Sequence, residues 1–392
     1  MYKHKAIQVL TKSVHKHGFL AAATAEENYG HVWSRDSAIT AVALMLHEQT
    51  QLFPVIKQSI LTLAYHQKAN GLIPSNVGFN DKSEPNISYG TLVGRVDAQT
   101  WWIIQSCLYI KQTNDSDLAD FLKPQIRKTL ALLEAWEFNG RHLVYTPLGG
   151  NWADEYILSG YTFYDNLLRY MALNLCAQIW PEARSFKEKT KNIKEALLVN
   201  FTDYSTPNNY LIHERAKKVW KASKKPFFPC AFDAAQYLTK WDAAANGLAL
   251  LLGFEHDGLF SHVSALLDDP KIGQIPAFWP PIFPSDSEWN LLQHQFNYHF
   301  KNEPYHFHNG GSWPVMTGVL CLGLAIRNQN DIQAKIKENY ELFLAQQDEF
   351  LFSEYIALNS QQPGGKSELC FSASGYLFMA AERQQIKALF GI

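Results

Sequence analysis

The chain of 392 residues sets 35 Lys and Arg against 37 Asp and Glu, and this near balance lacks the basic excess that nucleic-acid or anionic-membrane binding calls for. Hydrophobic residues make up 47% and charged ones 18%, which excludes a disordered chain and supplies a large core. Five scattered cysteines (107, 176, 230, 321 and 370) with no Cys-x-x-Cys pair argue against a disulfide framework or a zinc site and suit a reducing compartment.

Apolar residues recur at helical spacing along the whole chain, and alternating strand patterns are nearly absent. The spacing predicts helices over 3–17, 36–49, 53–69, 97–113, 115–137 and 161–179, then over 181–201, 241–253, 257–268, 313–327, 330–347 and 370–390. Asp36 and Asp97 precede apolar runs as helix starts, Asn114-Asp115 separates two helices, and Pro181 is placed in a first turn. The opening Met1-Tyr-Lys-His-Lys lacks the apolar core of a signal peptide, and no apolar run reaches the ~20 residues that span a bilayer. The expectation is a cytoplasmic protein. No Pro/Gly/Ser-rich stretch divides the chain, so one domain over 1–392 is expected.

Twelve helices in antiparallel pairs imply an all-α barrel with an inner and an outer ring of six, an (α/α)6 toroid. Short links would lie at one end and the long ones, 70–96, 138–160, 202–240, 269–312 and 348–369, at the other. Loops of that length are usually functional. Loop 269–312 is dense in aromatics, with four prolines between 276 and 284, and suits the wall of a pocket. The Lys-rich stretch 216–225 reads as a solvated loop, with a lid over the site as the sharper alternative.

Phosphate-binding glycine loops, His-Glu-x-x-His metal pairs and the Gly-x-Ser-x-Gly elbow are all missing, and neither a metal nor a cofactor is expected. Four acids in the long loops or at the helix starts that follow loops stand beside aromatic side chains. They are Asp36 after Trp33-Ser-Arg35, Asp97 before Trp101-Trp102, Asp154 after Trp152, and Glu354 between Phe352 and Tyr355. Taken singly, each is best explained as a helix cap or a solvated charge. Together they suit hydrogen bonding to sugar hydroxyls under stacking rings. Glycoside hydrolysis needs one carboxylic acid and one carboxylate, and aromatic neighbours keep an acid protonated near neutral pH by desolvating its charge. Asp154 and Glu354 both fit, and the residues leave open which is the acid.

The stretch His308-Asn309-Gly-Gly-Ser-Trp313-Pro resembles the signature of the neutral/alkaline invertases, glycoside hydrolase family 100. Gly94-Arg-Val-Asp97-Ala-Gln-Thr-Trp101-Trp102, Trp33-Ser-Arg35-Asp36 and Phe352-Ser-Glu354-Tyr355 are similar to other segments of that family, in the same order. The resemblance implies the (α/α)6 barrel and hydrolysis with inversion, with Asp154 as general acid and Glu354 as general base. It also implies contacts to the sugar from Trp33, Asp36, Asp97, His308 and Trp313. Arg35, Trp101, Trp152 and Asn309 complete the candidate binding set. After Asp154 the chain leaves the family pattern: Glu155-Tyr156-Ile157 stand where two arginines and Met-Gly are the rule.

The expected partner is a small carbohydrate, an α-glucoside with a sucrose-like disaccharide leading. α-1,6-linked and glucosylglycerate- or mannosylglycerate-type substrates are the alternatives, and self-association is left open. A reading from another class is a sugar epimerase or isomerase using His294, His299, His306 and His308.

Overall fold

The apolar periodicity is realised as fifteen helices in the computed structural model, which describes residues 1–24, 27–204, 209–347 and 351–392. In chain order these begin with α1 (Tyr2–Lys12), α2 (Ser34–Leu46), α3 (Phe53–Tyr65), α4 (Val96–Thr113) and α5 (Ser116–Ala135). Then come α6 (Phe163–Ile179), α7 (Arg184–Phe201), α8 (Glu214–Ala222), α9 (Ala243–Leu251) and α10 (Leu259–Asp268). The chain ends with α11 (Trp289–Leu292), α12 (Pro314–Ile326), α13 (Asn330–Ala345), α14 (Cys370–Met379) and α15 (Arg383–Phe390).

Helices α2, α4, α6, α9, α12 and α14 pack each against the next, and α14 returns to α2, which closes a ring of six. These helices are apolar nearly all round, as helices covered on every side must be. Every residue of α9 and α14 is buried, and α4 is buried continuously from Val96 to Ile110. The outer helices carry one apolar stripe. In α5 it is Leu118, Leu122, Ile126, Thr129, Leu130 and Leu133, at the spacing of one helix face. Glycine sets the closest approaches inside the ring. A Cβ on Gly247 of α9 would lie 2.5 Å from the Leu320 Cα of α12, and one on Gly318 would lie 2.4 Å from the Gly375 carbonyl oxygen of α14. The barrel wall between these helices therefore has no room for even alanine.

Local chemistry explains most boundaries. Asn114 ends α4 in a left-handed conformation (φ 55°), and the Asp115 carboxylate accepts the Leu118 N–H at 3.1 Å to start α5. Three expectations are corrected. The segment 370–390 is two helices, because Glu382 and Gln385 form a reciprocal capping box that starts a new one. Pro181 lies in a turn before α7, which begins at Arg184. The Lys-rich stretch belongs to α8, where Ala216, Lys217 and Trp220 are buried and Trp220 stacks on Tyr237 at 5.2 Å. Its Lys217 ammonium donates to the carbonyls of Val199 and Tyr204, which holds it as a packed element rather than a solvated loop.

The inner helices all begin at the end of the barrel where the long connections meet, and those connections pair with one another as very short strands. Val32–Trp33 pairs with Asn76–Phe79, which pairs with Pro85–Ser88. Tyr161–Thr162 pairs with Ala231–Phe232, which pairs with Tyr237–Leu238. No helix among the described residues is long and apolar enough to cross a membrane.

One buried ion pair ties the rings together. Arg169 of α6 meets Glu137, just past α5, at 2.6 Å with both side chains 1% exposed, and Lys189 of α7 adds a contact of 2.7 Å. Glu137→Ala leaves a guanidinium buried without its partner. The expected loss is ~3–5 kcal/mol of unfolding free energy, read as a lower urea midpoint.

Candidate active site

A cavity of about 400 Å3 opens at the N-terminal end of the inner ring, a size suited to a small organic ligand. Trp33, Arg35 and Asp36 reach it from the start of α2, and Arg95 from the residue before α4. The connection from α5 to α6 contributes Trp152, Asp154 and Glu155. The aromatic loop before α12 contributes Asn297, Lys301, His308 and Trp313, and the connection to α14 contributes Glu354 and Lys366. Residues far apart in sequence meet here because each stands in the first turn of an inner helix or in the connection that leads into one.

One wall is aromatic. Trp313 stacks against His308 with ring centres 5.0 Å apart and planes at 22°, and its indole N–H donates to the Phe307 carbonyl at 3.0 Å. Trp152 stands edge-on to both, and Phe278 of the aromatic loop backs it in a parallel stack at 5.4 Å. Packing thus locks the rings of the wall in place before any ligand arrives.

Other lining residues are charged. Arg35 bridges Asp97 at 3.2 Å and Asp36 at 3.6 Å. Arg95 donates to Asp154 Oδ2 at 2.6 Å and also to the Gly149 carbonyl, which fixes the glycine-rich turn before Asp154. Glu354 enters from the connection that leads to α14. Its carboxylate accepts from the Tyr29 hydroxyl at 3.4 Å through either oxygen and from the Lys366 N–H at 3.4 Å. Burial pushes the Glu354 carboxyl up to about 7, against the pull of Lys301, the Lys366 N–H and Tyr29. Burial likewise raises Asp36 and Asp97, with Arg35 opposing the rise in both. His308 is held neutral, because burial and then the nearby charges of Lys301, Arg35 and Arg95 push its pKa well below the usual histidine range.

Several buried polar atoms on this cavity have no hydrogen-bonding partner among the described residues. They are Trp152 Nε1, both ring nitrogens of His308, Glu155 Oε2, Asp36 Oδ2 and Arg35 Nε. Such atoms cost free energy unless something satisfies them. A ligand with several hydroxyl groups supplies both donors and acceptors at short range.

Of the candidates read from the sequence, Trp33, Arg35, Asp36, Trp152, Asp154, His308, Trp313 and Glu354 line the cavity. Three do not. Asp97 is fully buried behind Arg35 and orients it. Trp101 lies one turn further along α4 and donates to the Tyr164 hydroxyl at 2.9 Å. Asn309 is a fully buried cross-link, accepting from the Ile282 N–H at 2.7 Å and donating to the carbonyls of Ile282 and Asn302. Of the four histidines on which the isomerase alternative rests, only His299 and His308 line the cavity, while His294 is exposed and bonded to the Asn290 carbonyl.

Sequence reasoning passed over Arg95, Tyr29, Lys301, Asn297 and Lys366. Arg95 had a signal, since it stands two residues before Asp97 in the Gly-Arg-Val motif. Tyr29 had none, because only folding brings it to the acids, and Asn297 and Lys301 had only their membership of the pocket-wall loop 269–312.

Comparison with known proteins agrees with this architecture. The family model described as alkaline and neutral invertase matches residues 3–228. A probable alkaline/neutral invertase D of Arabidopsis thaliana is 21% identical over 344 residues, 75% of this chain. The chain spans 64% of the length of that curated relative. Among solved structures, an uncharacterized conserved protein from Thermus thermophilus has a TM-score of 0.69 at 15% identity, covering 97% of this chain and 100% of its own. A mannosylglycerate hydrolase of glycoside hydrolase family 63 from the same organism, in complex with glucose, scores 0.64 at 14% identity with the same coverage. A bacterial glucoamylase complexed with acarbose scores 0.66 at 16% identity, covering 99% of this chain and 56% of its own. These likenesses place the chain in the (α/α)6-barrel fold.

Proposed function

The chain belongs to the alkaline and neutral invertase family, and from that premise we propose that it hydrolyses the glycosidic bond of a small α-glucoside with inversion at the anomeric carbon. The observation that carries the reading is one cavity that holds unpartnered polar atoms, an aromatic wall and two carboxyls, Asp154 and Glu354, that enter from different connections. A glucosyl ring stacks its apolar face on the wall formed by Trp313 and Trp152, and its hydroxyls meet His308, Asp36 and Arg35. Asp154 protonates the leaving oxygen, and Glu354 takes a proton from the water that attacks the opposite face. A raised pKa makes Glu354 a stronger base once ionised. Arg95, paired with Asp154 Oδ2 at 2.6 Å, fixes the position of the carboxyl that faces the leaving oxygen.

The test is a screen of sucrose, trehalose, isomaltose and glucosylglycerate followed by NMR. Inversion releases β-glucose first from an α-glucoside, with the α-anomer appearing only by mutarotation. Initial α-glucose indicates retention and overturns the mechanism. No glucose from any substrate, nor from α-glucosyl fluoride, overturns the activity.

A further inference from the structure

The cavity has a second half whose chemistry the sugar-binding wall does not use. Residues 295–302 are tied across the Asp154-Glu155 peptide by side-chain hydrogen bonds. Gln295 donates to the Asp154 carbonyl at 2.9 Å, and Asn302 donates to the Glu155 carbonyl at 2.6 Å. Asn297 reaches Asp154 Oδ2 at 3.4 Å and Glu155 Oε1 at 3.2 Å, and the Lys301 ammonium pairs with the same Oε1 at 3.0 Å. Glu155 lines the cavity with its side chain 4% exposed, and its Oε2 has no partner among the described residues.

This pattern has a direction. An acid that protonates the leaving oxygen stands beside the leaving group, so the groups packed around Asp154 on the cavity wall surround the departing unit. Oε1 of Glu155 is filled by Asn297 and Lys301, and the vacant oxygen is a strong acceptor. A hydroxyl satisfies it by donating, whereas a carboxylate is an acceptor only and cannot. Arg35, Arg95 and Lys301 each already face a carboxylate of the protein, at 3.2, 2.6 and 3.0 Å. None of these three cations is set aside for an acidic ligand.

We infer that Glu155, held by Asn297 and Lys301, forms a leaving-group subsite that accepts a hydrogen bond from a neutral polyhydroxylated unit, a sugar or a polyol, and rejects a leaving group bearing a carboxylate. The inference rests on the proposed glycosidase activity and on Asp154 facing the leaving oxygen. It selects among the substrate classes: a sucrose-like or polyol glucoside is cleaved, and a glucosylglycerate-type compound is not.

The sharpest test compares glucosylglycerol with glucosylglycerate, which differ in one hydroxymethyl group against one carboxylate. Sucrose and trehalose serve as larger neutral substrates, and α-glucosyl fluoride has a leaving group too small to use the subsite. The wild-type protein should show kcat/KM at least ~10-fold higher for glucosylglycerol than for glucosylglycerate. Glu155→Gln, which keeps the shape and removes the charge, should bring that ratio towards unity. It should also lower the ratio of neutral glucoside to glucosyl fluoride turnover by ~10-fold or more, the loss of one hydrogen bond to a charged group. Equal or better wild-type turnover of glucosylglycerate overturns the inference. So does a Glu155→Gln protein with both ratios unchanged, and so does turnover of the fluoride with none of any neutral glucoside. Failure of the fluoride as well as every glucoside counts instead against the glycosidase activity itself.

Discussion

Asp154→Asn and Glu354→Gln should each lower disaccharide hydrolysis by on the order of 10²–10⁴-fold, the usual contribution of a positioned acid or base, and they should differ on a substrate that needs no acid. Fluoride leaves without protonation. Asp154→Asn should therefore keep most of its activity on α-glucosyl fluoride, while Glu354→Gln should lose both activities, because water still has to be deprotonated. The reverse pattern would exchange the two roles, and near-normal disaccharide turnover in either variant would falsify the pair. Both replacements are isosteric. An asparagine at 154 can still accept from Arg95, and a glutamine at 354 can still accept from Tyr29 and the Lys366 N–H, so the melting temperatures should stay close to wild type at acidic pH. Above neutrality Glu354→Gln should be the more stable protein. Burial raises the Glu354 carboxyl from its ordinary 4.5 to about 7. The folded state then binds more protons than the unfolded chain between those values, and the wild type loses stability as pH rises through that window. The variant has no carboxyl to ionise there, and a wild type as stable as the variant at pH 8 would show that Glu354 carries no such burden.

The architecture was legible because a ring of helices writes itself in apolar spacing and in the alternation of short and long connections. Boundaries failed where small local devices decide them. The capping box at Glu382 and Gln385 cuts a continuous apolar pattern in two, and the strands linking the long loops are two to four residues long, too short to show a period. The candidate cavity was legible as a list of acids beside aromatics, and the candidates that lie off it share a geometric cause. Adjacency in sequence does not reveal which way a side chain points at a helix start. Asp36 and Asp97 occupy similar motifs in the first turns of α2 and α4, yet Asp36 lines the cavity and Asp97 lies behind it as the partner of Arg35. Asn309 sits beside His308 in one motif, but the chain reverses there: the His308 ring joins the aromatic wall while the Asn309 amide ties the Ile282 backbone to Asn302. Tyr29 gains its place from a contact spanning 325 residues, which no local pattern encodes.

The activity should also depend steeply on pH, and the alkaline limb should belong to Glu354. An inverting pair works only while its two carboxyls share one proton, since one must donate and the other must accept. Burial raises the Glu354 carboxyl to about 7, so this carboxyl holds a proton up to neutrality in the resting protein. The form with the proton moved to Asp154 carries the same total charge. The pH dependence of kcat/KM therefore counts protons on the free pair without revealing which carboxyl delivers one, a question left to the fluoride comparison. As pH rises through about 7 the pair loses its proton, and kcat/KM should fall about tenfold per unit, reaching about 100-fold below its plateau two units higher. Tyr29→Phe should move this limb upward, because the Tyr29 hydroxyl is one of the groups that favours the ionised carboxylate. A rate profile over roughly pH 5–9 on a neutral glucoside checks both. A kcat/KM that climbs through neutrality to a plateau would mean that the enzyme gains activity as Glu354 ionises, and would overturn the alkaline limb assigned to that carboxyl.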